Sequence, residues 1–352
     1  MQKTRNVTNF LKAALFDRPE WIPCGVGIMA ATWMKYRERL EDIVLAHPRI
    51  FPGYEKGSTD FDLLGDKRYR KGRFTDNWGC TWHNIAEGMD SVVKGFPLEN
   101  WDDFQAYRPP DPMTEGDGWG EPPDWDKTEA QLRERKENGR LATGSLPHGF
   151  MYMRLWYLRG FENLMIDMAT DEPRLHQLIT MVLDYNMKTI DACLRAGAEC
   201  MSFGDDLGCQ HALPMSPEKF RQYLVPCYSR MFGRCREKGA IVYLHSDGHI
   251  LEIIPDLIQC GVQIINPQIR ANTLDGLRTY AKGKVCISLD LDRQLFPFAT
   301  PREIQAHIRE AADVLNSKEG GLMLYAECEP DVPLENIEAI CETLEEIGGP
   351  SV

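Results

Sequence analysis

The feature that most restricts how this chain can fold is a regular alternation of two kinds of segment along its second half. Short apolar runs of strand length are each followed by an amphipathic helical pattern, several with a hydroxyl cap and a proline in the first turn. Strands are expected near 198–206, 240–247, 262–268, 284–292 and 321–329, and helices are expected to begin near Ser216, His249, Thr273, Thr300 and Pro333. Because runs that are apolar on both faces are typical of parallel sheets covered by helices, the pattern predicts β/α repetition.

The first half carries the same alternation less regularly. The expected elements are a strand at 22–29 and a helix at 32–47, a strand at 140–146 and a helical stretch at 151–168, and a long helix at 173–195. A long insertion fills about 53–140, and its Pro/Gly/Asp-rich part, 108–126, is expected to be a surface loop. Seven or eight β/α units favour an α/β fold in which residues 1–352 form one domain, a (β/α)8 TIM barrel, over an open doubly wound sheet.

Charge and composition exclude several classes of partner. The chain of 352 residues has 53 acidic and 40 basic side chains, a formal charge of −13 and no dense Lys/Arg block, so nucleic acids and anionic membranes are poor partners. No apolar run approaches the roughly 18 residues that span a bilayer, and the N-terminus lacks a signal-peptide core, which indicates a cytoplasmic protein. Its 11 cysteines include no CxxC pair and indicate reduced thiols. Neither GxGxxG after the first strand nor GxxxxGK[ST] occurs, which argues against dinucleotide-binding and P-loop folds.

Polar side chains close five consecutive predicted strands. In barrels of this kind the active site lies at the carboxyl ends of the strands. The side chains found there are Asp205 and Asp206, then His245, Ser246 and Asp247, then Asn266 and Gln268, then Asp290 and Asp292, and last Glu327, Cys328 and Glu329. A cap or a loop hydrogen bond explains any single one of them equally well. Together they concentrate negative charge at one rim, which a metal, a cationic substrate or raised carboxylate pKa values must offset.

Three of these residues have the chemistry of a metal site. His245 and Asp247 are separated by one residue, so on an extended chain they project to the same side and can bind one ion. With Cys328 they would supply one imidazole, one carboxylate and one thiolate, a catalytic zinc shell with an open fourth position. The alternatives are a hydrogen-bonded core histidine at 245 and an inert core thiol at 328.

Two aspartates, with His245, are the candidate catalytic groups. Neighbouring residues on a strand point to opposite faces, so one of Asp205 and Asp206 is expected to enter the barrel mouth and the other to cap a helix or loop. We assign the catalytic role to Asp205. Asp76, within TDNWGCTW (75–82), is also expected at the mouth, between aromatic walls; the alternative is a turn aspartate before a packed tryptophan.

Apolar and amide side chains near the strand ends are expected to bind a small-molecule substrate. Methionine and aromatic side chains suit a flat or methylated ligand, and amides and carboxylates orient it. The expected substrate-binding set is Met29, Trp33, Trp78, Phe150, Asp206, Asn266, Gln268 and Asp290.

Five segments of the chain together form a recognisable family pattern. They are DNWGCTW (76–82), GDDLG (204–208), MSPEKFRQYLVPCYSRMF (215–232), HSDGHILEIIPDLIQCGVQIINPQ (245–268) and DVPLENIEAI (331–340). The chain resembles the uroporphyrinogen decarboxylase superfamily over about 20–348. That resemblance implies a single-domain (β/α)8 barrel, often dimeric. It also implies one of two chemistries, cofactor-free decarboxylation of the acetate arms of uroporphyrinogen or zinc-dependent methyl transfer with a corrinoid protein.

The two branches of the superfamily match unequally. The decarboxylase carries an N-terminal segment of the type RQAGRY whose arginines hold the substrate's carboxylates, whereas this chain has GIMAATWMKYRERL at 27–40. The methyltransferase zinc motif is His-x-Cys followed much later by a Cys. Here His245 and Cys328 take the first and third places, and Asp247 replaces the central Cys, which would make a harder, less thiophilic site.

We therefore expect a zinc-dependent methyltransferase that moves a methyl group between a small organic substrate and a corrinoid protein or thiol. Its zinc would act as a Lewis acid on the oxygen or sulfur of the donor or acceptor. One alternative is a cofactor-free decarboxylase of uroporphyrinogen or a smaller acid, in which Asp76 or Asp205 polarises the substrate and His245 protonates the product carbanion. The other is a non-catalytic barrel whose carboxylates bind a cationic ligand.

Overall fold

The computed structural model describes residues 2–63 and 65–349. Within them lie ten strands, numbered in chain order: β1 (Cys24–Ile28), β2 (Gly72–Thr75), β3 (Thr81–Asn84), β4 (Val92–Gly95), β5 (Thr143–Ser145), β6 (Cys200–Gly204), β7 (Ile241–Ser246), β8 (Ile264–Pro267), β9 (Cys286–Asp290) and β10 (Leu322–Cys328). The five strands predicted in the second half are confirmed, each inside its predicted range. Apolar runs therefore locate the strands correctly.

The same residues form fourteen α-helices. They are α1 (Arg5–Ala14), α2 (Ala30–Tyr36), α3 (Glu38–Ala46), α4 (Trp125–Glu137), α5 (Tyr152–Arg159), α6 (Phe161–Thr170), α7 (Pro173–Arg195), α8 (Pro217–Tyr223), α9 (Val225–Glu237), α10 (Ile254–Cys260), α11 (Ile269–Asn272), α12 (Leu274–Tyr280), α13 (Pro301–Leu315) and α14 (Leu334–Ile347). None of the described helices has the length and apolar content needed to cross a membrane.

Caps and backbone breaks fix where these helices start and stop. Thr300 forms a reciprocal capping box with Glu303 at the start of α13, as the Thr-Pro-Arg-Glu sequence predicts. The helix expected at 32–47 is divided into α2 and α3 at Arg37, because the φ of this residue, 49°, is incompatible with a right-handed helix. The stretch expected at 151–168 is divided at Gly160, where φ is 83°. The helix predicted from His249 begins later, because a 3-10 turn precedes α10.

Seven strands form one parallel sheet in the order β1-β10-β9-β8-β7-β6-β5. The α/β fold is thus confirmed, but among the described residues β1 and β5 are the edges of the sheet and no eighth parallel strand joins them. Within the segment expected to be an insertion, 53–140, the strands β2, β3 and β4 form a separate antiparallel sheet. The predicted (β/α)8 barrel is therefore confirmed only in part.

Side chains of the parallel sheet alternate between two apolar clusters. One face packs against the helices and carries residues such as Val242 and Leu324. The other face carries Cys200, Cys286 and Met323, which pack against the end of α1. This alternation determines which residues reach the interior of the curled sheet at its carboxyl end.

Candidate active site

A cavity of about 320 Å³ lies where strands β6, β7, β9 and β10 end. Residues from the antiparallel sheet and its loops form the opposite wall. The lining residues are Arg68, Tyr69, Trp82, Asp90, Ser91, His148, Met153, Tyr157, Asp206, His245, Asp247, Arg293 and Glu327. A larger cavity of about 480 Å³, near the start of β1, has no histidine or carboxylate in its wall, and one of about 750 Å³ that shares Arg293 has carboxylates but no histidine. The first cavity is therefore the candidate site.

His245 is the best-positioned imidazole of this cavity. It lies in β7 on the interior face, and its Nε2 is 3.1 Å from Asp247 Oδ1 and 3.9 Å from Asp206 Oδ1. Its Nδ1 lies 2.6 Å from Asn266 Oδ1, while Asn266 Nδ2 donates to the carbonyl oxygen of Ser288. Since the Ser288 carbonyl fixes which end of the amide faces the ring, the hydrogen-bond network assigns a proton to His245 Nδ1 and directs Nε2 at the carboxylates.

His148 approaches the same carboxylate from the loop after β5. Its Nε2 is 3.1 Å from Asp206 Oδ1, and its ring centroid is 5.6 Å from that of His245. Gly204 permits this approach, because a Cβ at that position would lie 2.6 Å from Cδ2 of His148. One donor atom from each of His148, Asp206 and His245 lies within 4.8 Å of the other two.

These contacts shift the acid–base properties of the site. Burial opposes the charged form of His245, but the carboxylates of Asp247 and Asp206 and the bond to Asn266 outweigh it and raise the pKa of the imidazole to about 9. Burial likewise favours the neutral form of Asp206, yet the two histidines hold its pKa below the usual range. The Asp206 carboxylate is thus a charged group held between two rings.

Arg293 neutralises much of the acidic rim. Its guanidinium contacts Asp290, lies 2.8 Å from Glu327 and 3.3 Å from Asp247, and is 4.0 Å from Glu329. Burial disfavours its charge, but Asp290, Asp247 and Glu327 raise the pKa of Arg293 above its already high value. One fixed cation therefore offsets the negative charge that the sequence concentrates here.

The zinc shell expected from His245, Asp247 and Cys328 is not assembled. Glu327 and Cys328 are neighbours on β10, so their side chains point to opposite faces. Glu327 lines the cavity, whereas Cys328 is fully buried in the cluster on the helix side, where burial raises the pKa of the thiol to about 12. The structure brings His245 and Asp247 together but turns the thiol away.

A different donor set in the cavity fits zinc. Bonds of about 2 Å in tetrahedral geometry place ligand atoms roughly 3.3 Å apart, and the carboxylate of Asp206 lies 3.1 Å from His148 Nε2 and 3.9 Å from His245 Nε2. Two imidazoles and one carboxylate are also ligands that catalytic zinc accepts with a fourth position open. The residues that fit the ion are therefore His148, Asp206 and His245.

The two aspartates expected to be catalytic lie away from the cavity. Asp205 is buried behind β6, where it accepts hydrogen bonds from the backbone N–H groups of Tyr152 and Met153 and from the hydroxyl of Tyr228. It therefore caps α5, and it is Asp206 that enters the mouth. This reverses the expected roles of the tandem pair, because Asp206 lies on the interior face of the strand.

Asp76 belongs to a buried network beneath the insertion. Its carboxylate accepts hydrogen bonds from the Cys80 backbone N–H, Trp82 Nε1 and Arg154 Nη1, at 2.8, 2.9 and 3.1 Å. Trp82 also lines the cavity, but Asp76 itself is buried and is not among the lining residues. The structure thus places Asp76 in a packing role, contrary to the expected catalytic one.

The expected substrate-binding residues divide between the cavity wall and its surroundings. Asp206 lines the cavity, Asn266 and Asp290 support its His245 and Arg293, and Gln268 accepts a hydrogen bond from Gly248 N–H beside it. Four others do not line the cavity. Met29 precedes α2, and three aromatic side chains pack elsewhere: Trp33 on Tyr54 and Phe61, Trp78 against Tyr185, and Phe150 against Phe203.

Several residues that line the cavity were not predicted from the sequence. His148 follows the predicted strand 140–146, and Arg293 directly follows the predicted strand 284–292. Both would have been predicted if basic residues at the carboxyl ends of strands had been considered together with the acidic ones. Arg68 and Asp90 come from the insertion, where no periodic pattern indicates which residues fold back over the strand ends.

Comparison with known proteins agrees with this architecture. A family profile described as uroporphyrinogen decarboxylase (URO-D) matches residues 79–347. Among solved structures, a methyltransferase from Methanosarcina mazei aligns with a TM-score of 0.62 at 15% identity, covering 97% of this chain and 98% of that chain. A B12-independent methionine synthase from Shewanella sp. W3-18-1 aligns with a TM-score of 0.40 at 12% identity, over 62% of this chain and 64% of that chain. The likeness to the Methanosarcina methyltransferase shows the fold alone.

A search of curated proteins finds no match. The family profile covers well over half of the sequence and includes β5 to β10, the strands whose ends surround the cavity. The chain belongs to the uroporphyrinogen decarboxylase family.

Proposed function

We propose that this protein is a zinc-dependent methyltransferase of its family, which moves a methyl group between a small organic substrate and a corrinoid protein or thiol. The observation that supports it is the convergence of His148, Asp206 and His245 donor atoms within 4.8 Å in a cavity at the strand ends. The likeness in fold to a protein described as a methyltransferase agrees with the proposal.

In this proposal His148, Asp206 and His245 hold the ion. Zinc would supply Lewis acidity to the oxygen or sulfur that bears or accepts the methyl group. His245 would give up its Nε2 proton on binding the ion, and the 2.6 Å contact with Asn266 would keep the remaining proton on Nδ1, so that Nε2 faces the ion. Arg293 restrains Asp247 and Glu327, which keeps both carboxylates at the edge of the donor set.

The remaining wall suits a small methylated group. Met153, Tyr157 and Trp82 supply apolar surface on the side of the cavity that faces the insertion. A volume of about 320 Å³ is at the lower end of the roughly 300–1,000 Å³ typical of pockets for drug-sized ligands. That volume suits a small substrate.

Metal analysis of the purified chain tests the donor set. We expect about one zinc per chain after reconstitution and dialysis, loss of that zinc in His148→Ala and in His245→Ala, and retention in Cys328→Ala. Elemental analysis and chelator competition provide the measurement. Retention of zinc in His148→Ala together with its loss in Cys328→Ala would contradict the donor set proposed here.

Methyl transfer itself is measured with free cobalamin in place of a partner protein. A panel of small methoxy and methylthio compounds is incubated with the zinc-loaded enzyme and reduced cobalamin, and methylcobalamin is followed by its absorbance. We expect formation that depends on His148 and His245. Full activity in the metal-free protein would count against the zinc mechanism.

One observation favours decarboxylation as a second candidate. Two guanidiniums, Arg68 and Arg293, line the same cavity and would hold the carboxylate of a small acid, with His245 as the group that protonates the product carbanion. Carbon dioxide released from such an acid without methyl transfer would support this candidate over the first.

A further inference from the structure

Arg68 lines the same cavity as the two histidines, and contacts hold both its backbone and its guanidinium in place. Its carbonyl oxygen accepts hydrogen bonds from Asn84 Nδ2 and Ser91 Oγ, which fix the backbone. The guanidinium carbon lies 4.2 Å from the centroid of Trp119, and Nη2 donates to the Tyr69 hydroxyl at 3.0 Å. A planar cation stacked on an aromatic face loses little further entropy when it binds a ligand.

The charge of this guanidinium is weakly matched by the protein. Its nearest carboxylates are Asp66, 3.9 Å from Nε, and Asp90, 3.8 Å from Nη2, both longer than the 2.7–2.9 Å of a charge-assisted hydrogen bond. The Asp90 side chain is 59% exposed, so water screens that pair. Arg68 Nε is buried and has no hydrogen-bond partner among the described residues.

The other carboxylates of the cavity have their own partners. Asp206 is hydrogen-bonded to His148, Asp247 contacts His245, and Glu327 pairs with Arg293. A desolvated cation with spare donors is stabilised by an anion that enters its site, because the protein leaves those donors unpaired without it. Both arginines of the cavity wall have a buried Nε without a partner among the described residues, but only Arg68 has no carboxylate within hydrogen-bond distance.

We infer that Arg68 binds a carboxylate group of the substrate, so that the methylated part of the same molecule lies toward His148, Asp206 and His245. The planar fork of the guanidinium matches a carboxylate geometrically, which selects this group over a neutral amide or ester. The inference deepens the proposed function and rests on it for the identity of the cavity as the substrate site. It narrows the substrate class to small methylated carboxylic acids.

Paired acids and amides of equal shape test the inference. The probes are methoxyacetate, 3-methoxypropionate and 3-methoxybenzoate, each compared with its carboxamide by calorimetric titration of the zinc-loaded wild-type chain. We expect at least one acid to bind about tenfold more tightly than its amide. Equal affinity within every pair, or no binding of any acid at millimolar concentration, would overturn the inference without any variant being needed.

Variants then locate the preference. Arg68→Gln is expected to lower the affinity for the acid about tenfold and to leave the amide unchanged, while Arg68→Lys retains part of the preference. Arg73→Gln, which removes an equal charge from an exposed position of β2, is the matched control and should bind like wild type. An unchanged acid affinity in folded Arg68→Gln would overturn the assignment to Arg68. If the acid preference persists but no methyl transfer is found, the reaction fails and the carboxylate site stands.

Discussion

The carboxamide oxygen of Asn266 lies 2.6 Å from Nδ1 of His245, and the amide nitrogen of the same residue donates to the carbonyl oxygen of Ser288. An imidazole held in this way presents its second nitrogen to the cavity with a fixed orientation. Partners of this kind set the tautomer and the basicity of histidine ligands.

Replacement of Asn266 should therefore weaken metal binding without touching a donor atom. We expect Asn266→Ala to reduce zinc affinity by about 10- to 100-fold in a chelator competition. Gln268→Ala is the matched control, since this amide follows the same strand but contacts the Gly248 N–H instead of the imidazole. Equal zinc affinities for wild type and Asn266→Ala would mean that the bond does not position a ligand.

Gly204 offers an independent test of the role of His148. A methyl group there would lie 2.6 Å from His148 Cδ2, so Gly204→Ala should displace the ring and lower zinc affinity by at least tenfold. Gly233→Ala in α9 is the control, because nothing lies within 4 Å of its added Cβ, and we expect it to bind zinc normally. Normal zinc binding by Gly204→Ala would remove His148 from the donor set.

The parts of the fold that follow from local physical chemistry are the parts that the sequence predicts. Buried parallel strands need apolar side chains on both faces, and the apolar runs at 240–247 and 321–329 correctly predict β7 and β10. The capping sequence that begins at Thr300 likewise predicts the start of α13. The insertion was not predictable in this way. Its short strands pair with one another in an antiparallel sheet, and the hydrophobic pattern within a single segment does not show which segments pair.

Alternation along a strand explains the mixed result at the site. It correctly pairs His245 with Asp247, two residues apart, on one face. The same rule separates Asp205 from Asp206 and Glu327 from Cys328, but which member of each pair faces inward depends on the register of the sheet. The sequence leaves that register open, and the structure turns Asp206 and Glu327 toward the cavity.

Asp76 should behave as a structural residue. Its removal leaves the buried guanidinium of Arg154 with Asp117 alone, at 3.5 Å, so Asp76→Ala is expected to lower the free energy of unfolding by about 3 kcal/mol in urea denaturation. The exposed pair of Arg37 and Asp62 provides the control, and Asp62→Ala should leave the free energy of unfolding nearly unchanged. Zinc affinity should not change in folded Asp76→Ala. A stable Asp76→Ala variant that has lost activity would restore the catalytic role.

Asp290 should make the stability of the metal-free protein depend on pH. It is fully buried, one of its oxygens has no hydrogen-bond partner among the described residues, and burial outweighs the nearby Arg293 to raise the pKa of its carboxyl to about 6. A folded-state pKa above the unfolded value of about 3.9 means that the folded state holds the proton more tightly, so this group's contribution to stability falls as pH rises from about 4 to 6 and beyond.

Asp290→Asn carries no such charge. With chelator present, the unfolding free energy of the variant minus that of wild type should therefore increase by about 1–2 kcal/mol between pH 5 and pH 7.5. Asp275→Asn, whose side chain is 86% exposed, should show no such trend. A difference for Asp290→Asn that stays constant across this range would mean that Asp290 is already ionised at pH 5 and that Arg293 offsets its burial in full.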